Sequence, residues 1–167
     1  MRTHRPSPPS PWKAHRVSVR TVVALEGVCA DGEAWTLLYA PIGERGHRHH
    51  LALIVNGSER ESGSGFDIPD TTELGFGGGL TPGSGNFYLY GLTTDRIRTV
   101  RAESHRDARP TEAMTSALPQ STTEAADSLR VFVLVRPPVE DVIALVGLDG
   151  EGHEVQRIPL PGPPGRP

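Results

Sequence analysis

Along most of this chain apolar side chains recur at every second residue, and that period decides which folds are open to it. In an extended strand successive side chains point to opposite faces, so a two-residue repeat builds one oily face and one wet one. "RVSVRTVVALE" sets Val17, Val19, Val23 and Leu25 on one face, with Arg16, Ser18 and Arg20 opposite. After the turn "ADGE", the segment "EAWTLLYA" aligns Trp35, Leu37 and Tyr39, and the two stretches predict a hairpin. "HHLALIVNG" continues as a third strand, with Leu51, Leu53 and Val55 on one side and Ala52 and Ile54 on the other. It stops at Asn56-Gly57, a turn-forming pair.

The next segment, "SERESGSG", reads as a linker, and "ELGFGGGL" as a loop or irregular edge, because Pro69 and three successive glycines argue against a central strand. "NFYLYGL" resumes the alternation, Phe87 and Leu89 facing one way and Tyr88 and Tyr90 the other. "RIRTVRAES" follows a short turn, and the two predict a second hairpin. Residues 105–127 are polar and nearly featureless, with "PTEAMTSA" a candidate edge strand and "TTEAADS" the one helical candidate. "LRVFVLV" is apolar on both faces, Leu129, Val131, Val133 and Val135 against Phe132 and Leu134, which predicts a strand central in its sheet. "DVIALVGL" and "EVQRIPL" close a last hairpin across Asp149-Gly150-Glu151-Gly152.

Composition agrees with this pattern. Hydrophobic residues are 36% of the chain, beside 19 Gly and 16 Pro, a balance that favours turns and short strands over long helices. A sheet with an oily face must bury it, and without helices only another sheet is available. The expectation is an all-β, two-sheet antiparallel β-sandwich, immunoglobulin-like or jelly-roll-like, of about eight to ten short strands. Residues 14–160 form its single domain. Residues 1–13 and 161–167 are too rich in proline and too poor in apolar content to order themselves, and read as disordered tails.

The stretches "GSGFDIP" to "ELGFGGG", "YLYGLTTDRIRTVRAE" and "VFVLVRP" to "VGLDGEGHEV", within residues 33–158, resemble a group of β-rich actinobacterial proteins. Tyr90-Gly91, Arg98 to Arg101, Phe132 and Asp149 to Gly152 carry the resemblance. It implies a β fold and brings no catalytic residue. Many of that group are exported or membrane-anchored and carry a cysteine pair, whereas this chain has one cysteine, Cys29, and no apolar leader in "MRTHRPSPPSPWKAH".

Several chemistries are disfavoured. Net charge is −3, so no positive field gathers a polyanion, and the arginines at 96, 98, 101, 106 and 109 are interleaved with Asp95, Glu103 and Asp107 rather than with stacking aromatics. No nucleic-acid partner is expected. No apolar run approaches the roughly 18 residues of a membrane helix, so a cytoplasmic location is expected for the sequence as it stands, or an extracytoplasmic one should a leader precede it. One cysteine excludes an internal disulfide, and Cys29 has no adjoining basic residue to activate its thiol. "SGSGF" and "PGSGN" miss the nucleophile-elbow spacing, "GFGGGLTPGSG" lacks a phosphate-binding lysine, and "HEVQR" lacks the second histidine of a zinc protease helix.

The sharpest chemical candidate is His47 and His49, two apart and therefore on one face of a strand, as barrel metalloproteins present a histidine pair to a divalent transition metal. The resemblance to the cupin motif stops there, because that motif needs a glutamate a few residues on, where Leu53 and Ile54 stand. His50 faces the other way. The pattern as a whole favours a non-enzymatic β-sandwich binding or interaction module of unknown ligand, needing no cofactor. Its contact regions are expected at 56–66, 75–85 and 105–127, with Trp35, Tyr88 and Tyr90 as the aromatic anchors or as core. The alternative is a small metal-dependent, cupin-like β-barrel enzyme using His47 and His49.

Overall fold

The computed structural model describes residues 21–42, 48–66, 72–80, 85–105, 110–119, 128–136 and 142–160. Among them there is no helix, and twelve strands run β1 Val22–Val28, β2 Ala34–Ile42, β3 Arg48–Val55, β4 Ser58–Phe66, β5 Leu74–Leu80, β6 Phe87–Thr94, β7 Thr99–Ser104, β8 Thr111–Met114, β9 Ser116–Ala117, β10 Leu129–Arg136, β11 Val142–Leu148 and β12 Glu154–Pro159. Every pairing is antiparallel, and the strands make three four-stranded sheets: β1-β2-β3-β4, β5-β6-β10-β9 and β12-β11-β7-β8. The sandwich architecture is the expected one, with a third sheet added to the two anticipated.

The reason for the third sheet lies in β6 and β10. Tyr88, Tyr90, Leu92, Leu129, Val131 and Val133 pack with Leu37, Tyr39, Leu51, Leu53 and Val55 of the first sheet. The alternate residues Leu89, Phe132 and Leu134 pack with Val100, Ala102 and Leu145 of the third and with Ile97, which lies in the connection leading into it. The sheet holding β6 and β10 is therefore the middle layer, oily on both faces and covered on both. Each fully buried aliphatic or aromatic side chain contributes roughly 1.5–3 kcal/mol relative to exposure, so leaving either face wet would forfeit several such contributions.

Register is set by turns. Asn56 and Gly57 both adopt positive φ, 48° and 76°, as a tight hairpin turn requires, and they send the chain straight back along β3. The segment expected to be a linker, "SERESGSG", is consequently β4. It pairs antiparallel with β3 from Ser58 opposite Val55 to Phe66 opposite His49, at the edge of the first sheet. The glycine-rich stretch is β5, a regular strand at the edge of the middle sheet.

Two further expectations are corrected. Val23 does not share a face with Leu25: a bulge between them reverses the phase, so Val22, Ala24 and Leu25 pack on the core while Val23 is half exposed. Val17 and Val19 lie outside the described residues. Nor do β6 and β7 pair as a hairpin. Between them Ile97 is fully buried and the Arg98 amide donates to the Leu148 carbonyl at 2.7 Å, so the chain passes from the middle sheet to the third.

A second crossing, between β8 and β9, turns on Thr115. Its amide donates to the Arg98 carbonyl at 2.9 Å and its hydroxyl to the Ile97 carbonyl at 2.8 Å. Arg130 of β10 then donates from Nε to Thr115 Oγ1 and from an Nη to the Thr115 carbonyl, both at 2.7 Å. These bonds pin the corner where one sheet hands over to the next. The "PTEAMTSA" edge strand is thus real and is divided between two sheets. "TTEAADS" lies almost wholly outside the described residues, as do both terminal segments read as tails.

Candidate functional site

A polar cluster sits where the β1–β2 turn meets the start of β6. The turn is closed by the Gly32 amide donating to the Cys29 carbonyl at 2.9 Å and the Cys29 amide to the Glu33 carbonyl at 2.8 Å. Asp31 Oδ1 accepts the Glu33 amide at 3.0 Å, the side-chain-to-backbone bond for which Asp is favoured in turns. This local geometry buries the Glu33 side chain. There Glu33 Oε1 accepts the Tyr88 hydroxyl at 2.5 Å and the Asn86 amide at 3.1 Å. Asn86 also donates to Asp31 Oδ2 at 2.9 Å, and Cys29 Sγ lies 3.3 Å from the Tyr88 hydroxyl oxygen.

Burial and local hydrogen bonds set the electrostatics of this cluster. Burial, reinforced by the contacts with Cys29 and Glu33, pushes the Tyr88 phenol far above its ordinary value, so it remains a neutral donor. The Glu33 amide and then Asn86 hold the Asp31 carboxyl below the usual range. The half-buried Cys29 side chain packs beside the Tyr88 phenol. The cluster ties the first sheet to the middle one through partners 55 residues apart in the chain.

Of the histidine pair, His47 lies outside the described residues. His49 is buried, its Nδ1 2.9 Å from the Tyr39 hydroxyl oxygen and its ring stacked on Tyr39 with centroids 5.9 Å apart and planes at 24°. Burial raises the Tyr39 phenol to about 12. His50 is buried as well, one position along the strand. A different group of ligand-type atoms converges on the β11–β12 turn, where Asp149, Glu151 and His153 lie within 4.8 Å of one another. Asp149 Oδ1 there accepts the amides of Glu151 at 2.8 Å and His153 at 2.9 Å, and the His153 amide above all lowers its carboxyl.

The aromatic candidates separate. Tyr88 and Tyr90 are fully buried and fill the core between the first two sheets. Trp35 is half-buried, directly opposite Gly27, and its indole occupies the space a Cβ on Gly27 would need. Among the contact regions read as loops, 58–66 and 75–80 are strands and 111–117 is the divided edge.

What the alternation pattern did not single out is the outward face of the first sheet. Val23 and Val28 are among its exposed large side chains, at 50% and 69%, and Leu38 and Ile54 point the same way, half-buried. Val23 is opposite Leu38, Glu26 opposite Thr36, and Thr36 opposite Ile54, so these residues form one connected surface. The signal was present in "VVALEGV" and "LALIV", which carry apolar residues at consecutive positions, but the bulge that turns Val23 outward was not visible.

Fold and site together define an all-β protein of three stacked antiparallel sheets with one outer sheet face partly apolar. No protein-family model matches the chain. No similar protein was found among curated proteins or solved structures. Among the described residues, no helix is long and apolar enough to cross a membrane.

Proposed function

We propose that this chain is a non-enzymatic β-sandwich binding module that engages a protein partner through the outward face of its first sheet. The observation that supports this most is the joint exposure of Val23 and Val28 on an edge strand, continuous with Leu38 and Ile54 on the neighbouring strands. An outer sheet face is normally polar, and apolar side chains grouped on one mark a contact surface. Glu26 stands exposed between the two valines, so the partner that fits best is apolar with a cationic side chain to meet it. Rigid support comes from beneath, where the same sheet buries Leu37, Leu51 and Leu53.

The test is affinity capture from the source cell with wild-type chain and with the Val23→Glu, Val28→Glu double variant, alongside metal analysis of untagged protein. A partner retained by the wild type and lost by the folded variant is the expected result. Equal retention by both would rule this face out as the contact surface. Near-stoichiometric zinc, copper or iron that disappears in His49→Ala would replace the module with a metal enzyme using His47 and His49.

A further inference from the structure

We draw no further inference here: the strongest candidate, the Asp149, Glu151 and His153 side-chain cluster on the turn between β11 and β12, is a solvent-facing group whose Asp149 carboxylate already holds the turn's own backbone amides, and no second observation points to an ion there.

Discussion

The hydroxyl of Tyr88 donates to Glu33 Oε1 at 2.5 Å, a bond between a strand of the middle sheet and the turn that joins the first two strands of the chain. Both side chains are buried, so neither can exchange its partner for water without opening the sandwich. Asn86 supplies the carboxylate's second donor. Removing one donor from a buried carboxylate is expected to cost about 1.5–3 kcal/mol. Tyr88→Phe should therefore lower the urea midpoint clearly, and adding Glu33→Gln should cost less than the sum of the two single changes. Strict additivity in that cycle would show that the contact does not couple the sheets.

Gly91 is opposite Phe76 on one side and Phe132 on the other. A Cβ there would overlap the Gly75 carbonyl oxygen and stand 2.9 Å from the Phe132 ring. The carbonyl is backbone and has nowhere to retreat. Gly91→Ala should destabilise by about 3 kcal/mol, the upper part of the overpacking range. Gly150→Ala, whose new methyl would lie 3.7 Å from Arg98 Cγ, is the control and should stay within about 0.5 kcal/mol of wild type. Equal melting temperatures for the two variants would contradict the packing described.

Trp35 and Gly27 make a second such pair, with a different outcome. Here the obstacle to a new methyl group is a half-buried indole packed against the first core, a side chain that can shift where backbone cannot. Gly27→Ala should shift tryptophan emission to the red at a cost of only about 1 kcal/mol. Unchanged emission, with Trp12 removed to isolate the signal, would mean that the ring does not lie over Gly27.

Acid stability should track two aspartates. Asp149 and Asp31 have folded-state values below the ordinary ~3.9, chiefly because backbone amides of His153 and Glu33 respectively donate to them. A lowered folded value means that the ionised form favours folding. The contribution is present above the unfolded value and disappears as pH falls through the folded one. Denaturation midpoints measured from about pH 6 down to about pH 2 should fall less steeply for Asp149→Asn than for wild type. Parallel curves would refute the assignment.

At the alkaline end the sign reverses. Burial raises Tyr39 to about 12, so the folded state holds a proton that the unfolded chain releases near ~10. That stabilisation is intact below the unfolded value and is lost as pH climbs toward the folded one. Phenolate absorbance should rise late and together with unfolding, and Tyr39→Phe should remove part of the delayed signal. Ionisation of every tyrosine near ~10 in the still-folded protein would show that Tyr39 is open to solvent.

The surface assigned to partner binding has its own stability signature. Val23→Glu and Val28→Glu change side chains that are half or more exposed, so each should alter stability by no more than about 0.5 kcal/mol. A large loss for either would mean that the valine is covered in solution.

Strand positions, tight turns and the oily faces of β2, β3, β6 and β10 were legible in the residues themselves, since alternation follows from the geometry of one extended chain and Asn56-Gly57 or Asp149-Gly150 act through their own backbone. Double-sided apolar character in "LRVFVLV" even announced a central strand. Partner choice was another matter. Whether β7 lies beside β6 or across the molecule beside β11, whether "SERESGSG" pairs or loops, and whether Tyr88 meets Glu33 depend on which distant surfaces must be buried together. A local pattern holds no information on sequence separation, so only the packing of both faces of the middle sheet could decide those contacts, the third layer, and the valine that a single bulge turned outward.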